Sequence, residues 1–405
     1  MALSMEEFAQ FKEKGFKFIW EELAPLEEEI ERTERIPRER LWPRFRDHGF
    51  LGMLIPKEYG GTGLAETQYL EFEKEWSKVH GGIRVILHVH NGVSDSLLAV
   101  GTGEQKRKYL PKIAQGELSC ALGLTEPDGG TGRDIKSRAR ADGLNFVLNG
   151  RKHLITNADF AEIFNVVCWI EKKPGDFKIG NLLVEKGREG FTLMDMKPCW
   201  GCKGAFHGRL NFKDCLVPVG NVLGEGGETL EATLHHLNVS RVRISANALG
   251  TMERCLDLAV EFSKKRVTFG KPIAERQAVH GYLSDMAMNI YALQCVIADA
   301  GKKIDEKKDI YLEANLCKLL AIEALRDVTD KALLIFGGIG YTNEYPIGHL
   351  YRDGRLNWLE EGTPTIHSMV ASRRLLQGYR TYKPYHKEEI EGSADRHIRL
   401  AASAK

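Results

Sequence analysis

The chain carries almost no net charge: 57 Lys and Arg against 56 Asp and Glu leave +1. A balance this close to zero excludes a protein built on non-specific electrostatic binding to nucleic acid or to an anionic membrane. Long apolar runs are missing as well. The stretch that begins at Ala332 is ended by Glu344, whereas a membrane-spanning helix needs about 20 apolar residues. The opening Met1-Ala-Leu-Ser-Met-Glu6-Glu7 has no basic region followed by an apolar run, and Ala-Ala-Ser-Ala-Lys405 is not a peroxisomal tripeptide. A cytoplasmic protein without a targeting segment is expected. Paired cysteines are also lacking: Cys120, Cys168, Cys199, Cys202, Cys215, Cys255, Cys295 and Cys317 are scattered, as reduced thiols are. Cys199-Trp-Gly-Cys202 alone has a C-x-x-C spacing. It lacks a second ligand pair for zinc and the flanking strand and helix of a thioredoxin-type site, so free loop thiols and no metal are expected. No Gly-x-Gly-x-x-Gly follows a strand-like run, which argues against a Rossmann dinucleotide site, and no repeat is present. Asn238-Val-Ser240 matches a glycosylation triplet, but nothing else points to secretion.

What is present is ordinary globular composition. The 405 residues are 43% hydrophobic and 28% charged, enough for about two or three domains with a sizeable core. Residues 1–119 read as helical, with apolar positions at helical spacing over Glu6–Glu31 and further helices near Leu41–His48, Thr67–Trp76, Ile83–Val100 and Thr102–Gln115. Residues 120–225 favour strands, as in Cys120–Leu124, Asn145–Leu148, Ile163–Ile170 and Asn181–Val184, separated by Gly, Asp, Asn and Pro clusters. They predict a small antiparallel β domain. Residues 226–380 return to helix, with long spans over Thr229–Arg266, Gln277–Lys302 and Ile310–Phe336 and a shorter one after Thr363. Such helices with short connections predict a four-helix bundle. The last residues, 381–405, read as a polar tail. The expected class is α+β: helical domain, β domain, helical bundle.

Four segments carry the chemistry. They are Leu122-Gly-Leu124-Thr125-Glu-Pro-Asp-Gly-Gly-Thr131, Asn149-Gly-Arg-Lys-His-Leu154-Ile-Thr156-Asn157, Arg266-Val-Thr268-Phe269-Gly-Lys-Pro272 continuing to Gln277, and Phe336-Gly337-Gly338 followed by Arg352-Asp353 and Glu361-Gly362-Thr363. Taken singly they are a strand-end threonine, a helix-terminal arginine and a turn-forming glycine pair. Together, in this order and over residues 1–380, the chain resembles the acyl-CoA dehydrogenase superfamily. The resemblance implies that FAD lies between the β domain and the helical bundle. Leu122, Leu124 and Thr125 would line the isoalloxazine, Leu154 would pack on it, and Thr156 would hydrogen-bond its N5. Arg266, Thr268, Phe269 and Gln277 would hold the ADP half from a neighbouring subunit of a homotetramer. Gly337 and Gly338 would let backbone approach the cofactor, and Thr363 is a further cofactor contact. Thr131, Asn238, Arg241 and Gly362 are implied at the acyl-CoA, and electron-transfer flavoprotein is the implied electron acceptor.

An α-hydrogen beside a thioester is weakly acidic, so its removal needs a carboxylate in a dry pocket. The resemblance places Glu361 as that base. Glu360 suits a surface position at a helix start, where the dipole favours it. Arg241 matches a family arginine that helps to hold the active-site carboxylate and the acyl-CoA. Ile83–His88 matches the helix at the end of the acyl pocket, and Arg84 stands where the glutaryl-CoA dehydrogenase branch places an arginine for a distal carboxylate. The alternative for Arg84 is a solvated helix-start arginine. The decarboxylating members have a serine after this arginine and a tyrosine before the base; this chain has Val85 and Glu360. The expected reaction is therefore dehydrogenation, without decarboxylation, of glutaryl-CoA or a substituted succinyl-CoA, as in the benzylsuccinyl-CoA dehydrogenase branch. Alternatives are a short- or medium-chain monocarboxylic acyl-CoA dehydrogenase, or a non-catalytic or DNA-associated flavoprotein of the same fold. His88 reads as pocket wall or core, since its i,i+2 spacing from His90 does not suit a shared metal.

Overall fold

A computed structural model of the chain describes residues 3–129, 134–224 and 229–382. The expectations for Thr131 and for the tail from residue 383 onward lie outside them. The first unit is helical: α1 (Met5–Phe18), α2 (Glu27–Thr33), α3 (Arg38–Asp47), α4 (Glu66–Ser77), α5 (Gly81–Val100) and α6 (Gly103–Ala114). Ser4 and Glu7 close a capping box on α1. The continuous helix anticipated over Glu6–Glu31 is broken, because a π turn at Ile19–Leu23 and a 3-10 turn at Ala24–Leu26 containing Pro25 divide α1 from α2. Proline has no N–H to continue the ladder. Phe18, Phe45, Phe50, Phe72 and Trp76 form a buried aromatic core. Gly15 is required there, since a Cβ would stand 2.5 Å from the Phe72 ring.

The middle unit is one sheet of β1 (Cys120–Gly123), β2 (Arg138–Asp142), β3 (Asn145–Thr156), β4 (Ile163–Lys173), β5 (Asp176–Glu185), β6 (Phe191–Met194) and β7 (His207–Pro218). The order is β1-β4-β2-β3-β7-β6, with β5 also on β4. The sheet is mixed and not wholly antiparallel: β4 runs parallel to β1 and to β2. β1 reaches β4 only after the β2–β3 hairpin has intervened, so this neighbour is set by a long connection that strand pattern does not encode. β2, β6 and β7 also escaped the sequence pattern. β2 reads Arg-Ala-Arg-Ala-Asp and buries only Ala139.

The third unit holds α7 (Thr229–Lys265), a hairpin of β8 (Val267–Thr268) and β9 (Lys271–Pro272), α8 (Gln277–Asp305), α9 (Tyr311–Phe336), α10 (Ile347–Gly354) and α11 (Pro364–Leu376). α7, α8, α9 and α11 pack together, with α9 touching the other three. α4 lies along α7 so closely that a Cβ at Gly250 would meet the Lys74 carbonyl oxygen at 1.9 Å. Ion pairs fix the same junction: buried Arg243 on α7 is bidentate to buried Glu66 on α4 at 2.8 and 2.6 Å, and partly exposed Asp95 on α5 lies 2.9 Å from Arg243. α4, α5 and α7 are thus one rigid frame.

Candidate active site

The frame bounds a narrow cavity. α5 contributes His88, Val89, Gly92, Val93 and Ser96; the sheet contributes Leu122, Leu124, Asn165, Val167 and Asn181; α7 contributes His236, Leu237 and Ser240; Glu361 closes it. Glu361 sits in the connection before α11, whose first turn is fixed by Pro364 behind the N-cap Thr363. Its φ of +58° is unusual for a residue with a side chain, and Gly362 follows at +111°. Such a conformation persists only where neighbours impose it. They do: Arg241 Nε donates to the Glu361 carbonyl at 3.2 Å, His367 Nε2 to the Gly362 carbonyl at 2.9 Å, and Ser240 Oγ to Glu361 Oε1 at 3.0 Å. Arg241 therefore holds the backbone of Glu361, and Ser240 holds its carboxylate. Asn238 in turn accepts from Arg241 at 2.7 Å.

Around Glu361 lies a buried charge network. His88 joins Glu73 through Nδ1 at 2.9 Å and Ser240 through Nε2 at 3.1 Å. Burial alone would lower the His88 imidazolium, but the Glu73 carboxylate outweighs it and raises it. Arg84, one turn earlier on α5, faces Glu360 with both terminal nitrogens, at 2.9 and 2.8 Å. This corrects two expectations. Arg84 is 2% exposed and not solvated, and Glu360 is no surface residue but its partner. Burial would raise the Glu360 carboxyl; Arg84, Lys318 and His88 hold it below its usual range. Lys318 on α9 is fully buried and donates to the Asn357 carbonyl. Burial pushes its ammonium down to about 8.

The cofactor residues divide into two groups. Leu122, Leu124, Thr125, Leu154 and Thr156 come together where the end of β1 meets a register shift in β3, with His153 N–H donating to the Thr125 carbonyl at 3.0 Å. Leu154, at φ +58°, is turned out and half exposed there. Apolar side chains flanked by two hydroxyls suit the flat face and the polar edge of a flavin ring. Arg266, Thr268, Phe269 and Gln277 stand at the other end of α7, on the β8–β9 hairpin and the start of α8. The 25 residues from Ser240 to Lys265 span roughly 38 Å of helix, so the far group stands well away from the cavity. Gly337 and Gly338 adjoin this far group through the stacked rings of Phe262 and Phe336, 4.2 Å apart, and a Cβ on either glycine would meet open space. Phe269, at φ +48°, is 96% exposed.

Cys199 and Cys202 are free thiols, as are the other six. Sequence reasoning missed Glu73, Ser240, Glu360 and Lys318. Ser240 stood beside Arg241 in a recognised segment; Glu73 and Lys318 left no signal in their own surroundings. Among the described residues no helix is long and apolar enough to cross a membrane.

Three family sequence models match: the acyl-CoA dehydrogenase N-terminal domain at residues 5–117, middle domain at 121–215 and C-terminal domain at 227–376. The chain is 34% identical over 359 residues, 88% of its length and 91% of the relative's, to an acryloyl-CoA reductase (NADH) of Anaerotignum propionicum. It superposes on the butyryl-CoA dehydrogenase structure of Megasphaera elsdenii with TM-score 0.87 at 31% identity, covering 93% and 100% of the two chains. It superposes on a glutaryl-CoA dehydrogenase bound to glutaryl-CoA with TM-score 0.86 at 27% identity, covering 95% and 99%.

Proposed function

The chain belongs to the acyl-CoA dehydrogenase family, and from that premise we propose that Glu361 takes the α-proton of a dicarboxylic acyl-CoA whose distal carboxylate is received at Arg84. The coarser activity follows from membership: an FAD-dependent oxidoreductase acting on acyl-CoA. The bound flavin supplies the acceptor for the β-hydrogen, which leaves as hydride. The observation that carries the base assignment is the placing of Glu361 on the cavity wall with its backbone, carboxylate and following glycine each hydrogen-bonded by a different side chain. The oriented carboxylate removes one proton from the α-carbon. The surrounding Val89, Val93, Leu122, Leu124, Val167 and Leu237 limit water there.

The acyl group turns on Glu360. A substrate carboxylate that takes over Arg84 exchanges one carboxylate for another, and Lys318, a buried cation on whose protonation Glu360 acts, can receive the displaced charge. With Val85 and Glu360 in place of serine and tyrosine, the product keeps its distal carboxylate. The Arg84–Glu360 ion pair favours a second reading, in which the pocket end is electrically closed and a monocarboxylic chain is preferred. Anaerobic flavin bleaching with glutaryl-CoA, a 2-substituted succinyl-CoA and butyryl-CoA decides between them. Equal bleaching by diacid and monoacid would remove Arg84 from recognition.

A homotetramer suits the far flavin-binding group, which needs a flavin from another copy. The exposed Phe269, Val267 and Tyr341 at that end of the bundle support such a contact. Electron-transfer flavoprotein is the proposed acceptor.

A further inference from the structure

One side chain ties the end of β3 to the helix that walls the acyl pocket. Asn157 directly follows Thr156 and has φ +64°, a left-handed conformation that asparagine adopts more readily than most residues. It is 1% exposed. Its backbone N–H donates to the Phe206 carbonyl at 3.1 Å, and its carbonyl accepts from the N–H groups of Phe160 and Ala161 at 3.0 and 2.7 Å. Backbone bonds therefore close this turn without the side chain. The amide reaches elsewhere: Nδ2 donates to the Ile86 carbonyl on α5 at 3.0 Å and to the Cys120 carbonyl at the start of β1 at 3.3 Å. An amide nitrogen has two hydrogens, and both are used. Oδ1 is buried without a hydrogen-bond partner among the described residues, which costs stability. Turning the amide over would set that oxygen against two carbonyls, so its orientation is fixed.

The segments joined at Asn157 are those that bear the proposed chemistry. Ile86 lies between Arg84 and His88 on α5, and β1 carries Leu122 and leads to Leu124 and Thr125. At the other end of the same stretch of β3, fully buried Lys152 donates to the Leu124 carbonyl at 3.0 Å, and His153 N–H to the Thr125 carbonyl at 3.0 Å. Residues 153–156 are thus held against β1 at both ends, and the Asn157 end also holds α5. We propose that Asn157 is a positioning residue that sets the flavin over the acyl channel, by fixing Thr156 against the α5 wall. This rests on the reading of Thr156 as a flavin contact and of Glu361 as the base. In the reaction the β-carbon's C–H bond breaks and its hydrogen leaves with both bonding electrons for the flavin, so flavin and acyl chain must stand in register. Glu361 is held by Ser240 and Arg241, and the glycine after it by His367, through bonds that do not involve Asn157. Loss of the Asn157 amide should therefore slow hydride transfer and spare removal of the α-proton.

The test separates the two steps on the FAD-loaded protein. The probes are 3-thiaglutaryl-CoA and its monocarboxylic counterpart 3-thiahexanoyl-CoA, in which sulfur replaces the β-carbon. Neither has a β-hydrogen to transfer, so α-hydrogen exchange in deuterium oxide reports the base alone. Long-wavelength absorbance of the α-anion stacked on the flavin reports their mutual placement. Stopped-flow bleaching by glutaryl-CoA or butyryl-CoA, whichever the parent oxidises, reports hydride transfer. Asn157→Gly keeps the positive φ at no steric cost and removes the amide. It should bleach about 10²-fold more slowly, with a weakened long-wavelength band, while exchange stays within about 3-fold of the parent, because a misplacement of about 1 Å is enough for such a loss. Asn157→Ser, with one donor in place of two, should fall between. Bleaching and exchange that fall together, or a band and a bleaching rate that do not move, would overturn the proposal. If Asn157→Gly does not fold with its FAD, Asn157→Ser decides by the same readings. The premises fail separately: a parent that exchanges neither probe would remove Glu361 as the base, and a Thr156→Ala protein with parental flavin absorbance would remove Thr156 from the flavin. Either would overturn this proposal as well.

Discussion

Replacing Glu360 by glutamine removes the only carboxylate that the structure sets within hydrogen-bond distance of Arg84 among the described residues. Arg84 is 2% exposed, so water does not replace the lost partner. Leaving one member of such a buried pair uncompensated costs about 3–5 kcal/mol. The free Glu360→Gln protein should therefore be less stable by that order. A dicarboxylic acyl-CoA that reaches Arg84 restores a carboxylate; butyryl-CoA does not. The ratio of diacid to monoacid affinity should widen in the variant by on the order of 10²–10³-fold, less whatever part Lys318 already contributes in the parent. The assay is thermal unfolding of the FAD-loaded proteins with saturating butyryl-CoA, glutaryl-CoA and a 2-substituted succinyl-CoA, followed by kcat/KM for each. Arg84→Met in parallel should erase the ratio while leaving FAD content unchanged. A Glu360→Gln protein that is no better stabilised by diacids than by butyryl-CoA would refute the reasoning, because the freed guanidinium would then lie out of reach of the acyl end.

Glu361→Gln should retain FAD and bind acyl-CoA, yet lose about 10²–10⁴-fold in flavin reduction, read by stopped-flow bleaching; near parental rates would assign the base elsewhere. Glutaryl-CoA turnover should release no CO₂, checked by product mass. Arg266→Ala should weaken flavin retention and assembly together, measured by flavin absorbance and light scattering; a monomer fully loaded with FAD would contradict the shared site. His349 on α10 lies 3.4 Å from Glu27 on α2 and 3.4 Å from Asp353, which also accepts from the backbone N–H of Gly81. Burial would lower its pKa, but Asp353 and Glu27 raise it from 6.5 to about 9. A raised folded value means stabilisation that is full below about 6.5 and is lost as pH rises through about 9, up to roughly 3 kcal/mol. Denaturant unfolding should show that loss in the parent and a flatter profile in His349→Gln.

Legibility in the sequence followed the range of the interaction. Helices α3 to α9 were readable because apolar periodicity and capping are local. The break between α1 and α2 was not, because the aromatic spacing runs through Pro25. β2 hid because its outward residues are charged and only Ala139 turns inward. The family resemblance singled out Glu361, Arg241, Leu154 and Thr156. It did not reveal that Arg241 grips a carbonyl while Ser240 grips the carboxylate, since that choice depends on the φ of Glu361.

Charge state was the least legible property. Arg84 and Glu360 are 276 positions apart, and Glu73 and Ser240 are brought to His88 by the packing of α4 and α7. Read singly, each had a plausible solvated or core role. Buried together they cannot be independent, because each uncompensated charge would cost several kcal/mol. Arg84 with Glu360 and His88 with Glu73 close as pairs. Glu361 then faces the cavity as the carboxylate left for substrate, steadied by a neutral hydroxyl. Arg84 has its counter-charge supplied by Glu360, whereas the Glu361 carboxylate has no cation within hydrogen-bond distance among the described residues and is held by the Ser240 hydroxyl, as suits its proposed role. On the proposed reading, Glu360 is therefore as much a determinant of what the pocket accepts as Arg84 itself.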